Sequence, residues 1–190
     1  MGPQNLIRCF IAVEVSEPSI VEKVSAVQSR LESTGADIKL VEHDNLHLTL
    51  WFLGEIAEPR LRQVMEAMRK VRFNKFSINL RGIGYFPGGG RINVIWIGVE
   101  DPSGSLKSIH SQLVRLLEPI GFKPEDREFT PHLTICRVKS VRDKSRLVST
   151  IKDVESMEFG SQPVEKLYLK RSVLTPKGPI YSNLFVVEGE

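Results

Sequence analysis

Two four-residue stretches carry residue types able to do chemistry: His47-Leu48-Thr49-Leu50 and, 85 positions later, His132-Leu133-Thr134-Ile135. In an extended strand successive side chains point to opposite faces. Each histidine then shares a face with its threonine, and the aliphatic residues occupy the other. Imidazole titrates near neutral pH, so one histidine can act while neutral and the other while protonated. A base on one side and an acid on the other is what in-line displacement at phosphorus requires. The threonine hydroxyls can donate to the non-bridging phosphate oxygens. Such a site needs no metal, and a strained cyclic phosphate is the substrate best suited to it.

The rest of the chain reads as elements that would position these strands. Leu6 to Val15 is rich in β-branched and aromatic residues and predicts a strand. Ser16-Glu17-Pro18 then opens a helix whose apolar positions Ile20, Val21, Val24, Val27 and Leu31 recur at helical spacing, with Gly35 ending it. A short strand is expected from Lys39 to Glu42 and the first motif strand from His47 to Leu53. A second helix opens at Glu58-Pro59, and Phe76 to Phe86 reads as a long strand. The order then restarts with a strand from Arg91 to Val99 and a helix through Leu106 to Leu117, ending at Gly121. The second motif strand (His132 to Val138), a helical stretch (Val141 to Val154) and strands at Val164 to Leu174 and Ile180 to Val187 follow. The 85-residue offset between the histidines also carries Phe10 onto Ile95 and the helix after one tetrad onto the helix after the other. The expectation is a single domain spanning 1–190, built from repeats at roughly 6–86 and 91–174. A pseudo-twofold axis would bring both tetrads to one cleft.

Length, composition and charge are those of an ordinary globular chain: 190 residues, 41% apolar, 26% charged, net charge +3. The mild positive balance is compatible with a polyanionic partner. Cys9 and Cys136 are the only cysteines, each inside an apolar run, and read as core thiols of a reducing compartment. The first residues lack the apolar core of a signal peptide and no apolar run approaches membrane-spanning length, so a cytoplasmic location is expected. His43 precedes His47 at the spacing of a helical zinc pair, but Asp44-Asn45-Leu46 lacks the expected glutamate and His47 begins a strand, so no metal site is expected. His110 reads as a surface or boundary residue on a helix, and Gly88-Gly89-Gly90 as a hairpin turn. Arg137 and Lys139 could follow a nucleic-acid backbone, while Trp96 suits a buried strand position. Phe86, at a strand end, is the better base-stacking candidate.

The two tetrads resemble the signature of the two-histidine (HxTx) phosphoesterases. Arg127-Glu128-Phe129-Thr130-Pro131-His132 is similar to that group's Arg-x-Phe-x-Pro-His approach to its second motif. Gly82-Ile83-Gly84-Tyr85-Phe86-Pro87, followed by Arg91 and Trp96, resembles the central segment of the RNA 2′,3′-cyclic phosphodiesterases, also called the 2′-5′ RNA ligase group, and Arg8-Cys9-Phe10-Ile11-Ala12 resembles their start. The loop Pro87-Gly88-Gly89-Gly90 departs from the polar residues usual there. The resemblance implies an α+β, bilobal, duplicated fold: two mostly antiparallel sheets with helices outside, arranged pseudo-twofold around a central cleft. It implies metal-independent hydrolysis of RNA 2′,3′-cyclic phosphate ends to 2′-phosphomonoesters, with reversible 2′-5′ ligation as a second activity and no cofactor. His47 would be proton donor, His132 proton acceptor, Thr49 and Thr134 phosphate ligands, and Arg127 a further anion contact. The expected partner is RNA bearing a cyclic phosphate end, tRNA fragments included, met by a monomer away from membranes. Two alternatives stand beside it: a non-catalytic RNA-binding module, and a phosphodiesterase for a small cyclic nucleotide.

Overall fold

The computed structural model describes residues 6–126 and 128–190. Among them are nine strands and four α-helices. In chain order these are β1 (Ile7–Glu14), α1 (Pro18–Glu32), β2 (Asp37–Leu40), β3 (His47–Ile56), α2 (Glu58–Met68), β4 (Phe76–Gly88) and β5 (Arg91–Glu100). After them come α3 (Ser105–Leu117), β6 (His132–Ser140), α4 (Lys144–Lys152), β7 (Glu158–Val164), β8 (Lys166–Thr175) and β9 (Gly178–Glu188).

The strands pair antiparallel along the path β7-β4-β5-β6-β3-β1-β8-β9, with β2 also on β6. The path has one thin point. Where β3 meets β6, a single register pair, Leu48 with Leu133, joins them. On either side lie two sheets, β3-β1-β8-β9 and β6-β5-β4-β7, and their order reads symmetrically outward from that junction. Helices α2 and α3 pack together, α3 lies on β3, and α1 and α4 pack together over β4, β6 and β7. The architecture is thus α+β and bilobal, with the two sheets joined at their meeting edge rather than separate.

Neither of the expected repeats, 6–86 and 91–174, coincides with one of the two sheets. β4, from the first repeat, pairs with β5 along most of its length, and β8, from the second, pairs with β1. The β4–β5 hairpin turns through Gly89 and Gly90, both at positive φ, which suits the primed two-residue turn that a twisted hairpin requires. This is the hairpin expected of the triple glycine.

The expected strand from Val164 to Leu174 is in fact two. Val164 closes β7, Lys166 opens β8, and β7 itself begins at Glu158. Gly160 and Pro163 make that stretch read as loop, yet β7 lies at the end of the path, where a proline without N–H is tolerated. β7 also completes α1. That helix has no side-chain cap of its own, and Gln162 Oε1 accepts from the backbone N–H of Ser16 (2.9 Å) and Glu17 (3.0 Å). The expected helical stretch from Val141 to Val154 is shorter, starting after Asp143, whose carboxylate accepts from Arg146 N.

A continuous core runs beneath both sheets and includes Ile11, Leu48, Leu50, Ile95, Ile97, Leu133 and Ile135. Cys9 and Cys136 are fully buried, and burial pushes their thiols up, to about 11 and about 12. Among the described residues, no helix is long and apolar enough to cross a membrane. With about one thiolate per thousand or fewer at pH 8 and no access for reagent, the native chain should resist alkylation. Both thiols should react once guanidinium unfolds it, as mass spectrometry would read.

Candidate active site

The Leu48–Leu133 pair decides where the tetrads meet. Both leucines are 0% exposed and point into the core. Extending the antiparallel register by one residue each way sets His47 across from Thr134 and Thr49 across from His132. All four side chains then share the face opposite the leucines, and the histidines are diagonal neighbours with Cα atoms roughly 7–8 Å apart. The histidines stand on adjacent strands at the junction of the two sheets, and the register sets them in a two-by-two array with their threonines.

Each imidazole is oriented by the chain just before it. His47 Nδ1 donates to the carbonyl of Asn45 at 2.7 Å, and His132 Nδ1 donates to the carbonyl of Thr130 at 3.0 Å. A carbonyl only accepts, so the proton of each neutral ring sits on Nδ1 and Nε2 is left for chemistry. The segment before His132 is anchored by Phe129, which stacks on His110 at 4.2 Å between centroids, with Trp51 beyond. His110 is thus a boundary residue, as expected, and it supports this approach. On the core side Gln28, 3% exposed, donates to the carbonyls of Val41 (2.8 Å) and Ile135 (2.9 Å), fixing β6 one residue beyond Thr134.

The surroundings of the two rings differ. His47 lies against Phe10 (4.8 Å) and Tyr181 (5.3 Å). Beside it, across the β1–β3 ladder, is Glu14, which is paired with the 6%-exposed Lys170, itself donating to Asn183 Oδ1 at 2.8 Å. Burial lowers the His47 pKa from its ordinary 6.5, opposed by the Asn45 hydrogen bond; the cations of Lys170 and Arg137 lower it and Glu14 raises it. His132 is edge-on to Phe86 (5.3 Å) and Trp96 (6.2 Å). Phe86 is 39% exposed and stacks at 5.0 Å on Trp96, which is pressed over Gly84, where an added Cβ would come 2.3 Å from the indole. Trp96 is only partly buried, with its Nε1 buried and unpartnered among the described residues. Tyr85, by contrast, packs against the core.

Of the residues singled out from the sequence, His47, Thr49, His132, Thr134 and Phe86 come together; Arg127 lies outside the described residues. His43 is not among them; its Nε2 is hydrogen-bonded to Ser25 Oγ at 2.9 Å. Phe10 and Tyr181 are additions, while Arg137 is one of the two basic residues singled out for a nucleic-acid backbone. Phe10 carries no signal beyond strand hydrophobicity. Tyr181 is on the last strand, with its hydroxyl pKa raised by burial. Arg137 is three residues beyond Thr134, and its charge reaches both His47 and Tyr181.

Two consecutive segments, residues 13–96 and 97–181, match the family model of LigT-like phosphoesterases. The chain belongs to the LigT-like phosphoesterases. Among curated relatives in this family, the RNA 2′,3′-cyclic phosphodiesterase of Methanothermobacter thermautotrophicus is 40% identical over 185 residues, covering 95% of this chain and 97% of its own. That of Aeropyrum pernix is 38% identical over 169 residues, covering 89% and 96%. Among solved structures, TT0787 of Thermus thermophilus superposes with a TM-score of 0.81 at 29% identity, covering 96% of this chain and 97% of its own. Escherichia coli LigT has the same fold, with a TM-score of 0.77 at 23% identity over 97% and 98%.

In this LigT-like phosphoesterase, Lys170→Met should leave the Glu14 carboxylate uncompensated beside His47. The His47 pKa should then rise, as imidazole proton shifts in an NMR titration would report, and the fold should lose about 2 kcal/mol, less than for a fully buried pair because Glu14 is one-third exposed.

Proposed function

We propose that this chain hydrolyses RNA 2′,3′-cyclic phosphate ends to 2′-phosphomonoesters, with His47 as general acid and His132 as general base. The observation that supports the reading is the Leu48–Leu133 register, since strand alternation about it turns two imidazoles and two threonine hydroxyls toward one face. The curated relatives, named for this activity at 38–40% identity over nearly the whole chain, point the same way. A solved Escherichia coli LigT complex holds 3′-AMP.

In the reaction, His132 Nε2 takes a proton from water as the water oxygen bonds to phosphorus. The phosphorus–O3′ bond breaks on the opposite side, and the proton on His47 Nε2 goes to O3′. Thr49 and Thr134 donate to the non-bridging oxygens, and Arg137 supplies positive charge. Turnover leaves His47 neutral and His132 protonated, and exchange with solvent resets both. The four groups come from one chain, so a monomer is sufficient.

On the His132 side, Phe86 offers a stacking surface. With a ribose hydroxyl in place of water, a base held there would present its sugar for 2′-5′ ligation by the same proton transfers. RNA with cyclic phosphate ends, tRNA fragments among them, is the substrate class, and two reduced buried thiols suit the cytoplasm.

His47→Ala and His132→Ala should each lower kcat by a hundredfold or more, about the 10²–10⁴ a positioned acid or base contributes, with the circular dichroism spectrum unchanged. Wild-type activity should persist in EDTA, with a 2′-phosphate as product. Full activity in either variant overturns the assignment.

The pH profile provides a second check. A general acid works protonated, and burial holds the His47 pKa down in the free enzyme. kcat/KM should therefore fall as pH rises through a midpoint below 6.5. The bound phosphate anion favours imidazolium, so the same limb in kcat should lie at higher pH.

A further inference from the structure

Beyond Phe10 and Tyr181, the open face of β1 and β3 carries a pair the reaction does not use. Phe52 is 47% exposed, and the Arg8 guanidinium lies 4.6 Å above its ring centroid. Phe52 is the register partner of Phe10, so the two rings share a face, and Phe10 in turn touches His47. Arg8 precedes Phe10 by two residues on the same strand, and its charge reaches Tyr181. His47, Tyr181, Arg8 and Phe52 thus form one continuous surface. From Thr49 to Phe52 is three residues, about 10 Å along the strand. Among the described residues Arg8 makes no ion pair within 4 Å, and the residue across the ladder from it is Glu55.

A lone exposed phenylalanine needs no explanation. One overlaid by a guanidinium, on the same face as a phosphate site, is a different object. Aromatic rings and guanidinium planes are the surfaces on which unpaired RNA bases stack, and a cation beside them serves the next phosphate.

The proposed roles also fix the side. O3′ leaves toward His47, so the ribose that carries the cyclic phosphate lies over β1 and β3, and the RNA leading to it continues across that lobe. Water enters from the His132 side.

We propose that Arg8 and Phe52 form a stacking site for a nucleobase upstream of the cyclic phosphate, making an RNA oligonucleotide rather than a cyclic mononucleotide the preferred substrate. This rests on the function proposed above and names its substrate class.

The test compares kcat/KM for a 2′,3′-cyclic mononucleotide and for a short oligoribonucleotide ending in the same nucleotide. Wild type should prefer the oligonucleotide. Phe52→Ala should lower its kcat/KM roughly 5- to 150-fold, the range expected of one base–aromatic stack, mainly through KM. The mononucleotide should change less than twofold, and Phe52→Trp should keep the preference. Arg8→Gln should weaken oligonucleotide turnover and flatten its salt dependence. Equal losses on both substrates, or none on either, overturn the proposal. Fluorescence anisotropy with a labelled oligonucleotide ending in a 2′-phosphate, competed by the nucleoside 2′-monophosphate, gives an arm independent of turnover. Absence of hydrolysis would sink the functional reading alone; an oligonucleotide that binds no tighter than its terminal nucleotide would sink the stacking site alone.

Discussion

The structure depends on one contact, the packing of Leu48 beside Leu133 where the two sheets meet. Full burial of a leucine contributes about 1.5–3 kcal/mol, and both are fully buried. Because side chains alternate with period two, driving these leucines inward forces His47, Thr49, His132 and Thr134 outward. A one-residue slip of either strand would turn its histidine and threonine into the core and its aliphatic residues outward. The hydrophobic effect thus sets the geometry of the polar site, with no polar contact between the tetrads required.

The duplicated strand order would make the two imidazoles equivalent, and general acid–base chemistry needs them distinct. The neighbouring strands break that equivalence. On β1 and β8, Glu14 and Lys170 set charges beside His47, and Phe10 and Tyr181 bury it. On β4 and β5, His132 meets Phe86 and Trp96 instead. What stays common is the Nδ1 bond to the carbonyl two residues upstream, which leaves Nε2 as the working nitrogen on both.

What could be read from the chain follows from the range of the forces involved. The tetrads, α1 to α3 and most strands are written in local periodicity, and local periodicity is what a sequence displays. β7 escaped because Gly160 and Pro163 mark loops unless the strand is at a sheet edge, which is a tertiary fact. The cap of α1 escaped for the same reason, since Gln162 reaches it from some 145 residues away. Tyr181 carries no motif of its own. Phe10 looked like one more strand hydrophobe, and only pairing shows that it faces His47 while Cys9 and Ile11 face the core. Trp96, read as buried, is half-way: one face covers Gly84 and the ring still borders the site.

A junction of one register pair would be a weak hinge if each repeat folded into its own lobe. It is not, because the chain passes repeatedly between the two sheets. β4 follows β3 in the chain but pairs with β5 in the other sheet, and β8 follows β7 but pairs with β1. Separating the sheets would pull at connections that cross the junction as well as at the Leu48–Leu133 contact. Helix α1, between β1 in one sheet and β2 in the other, is pinned by Gln162 at its start and by Gln28 to β6 near its end. Catalysis by positioned donors depends on their being held before substrate arrives, since reorganisation at the moment of reaction would consume the advantage. The crossed topology meets that requirement by covalent connection. It leaves the open face free for a phosphate without requiring a closing lid.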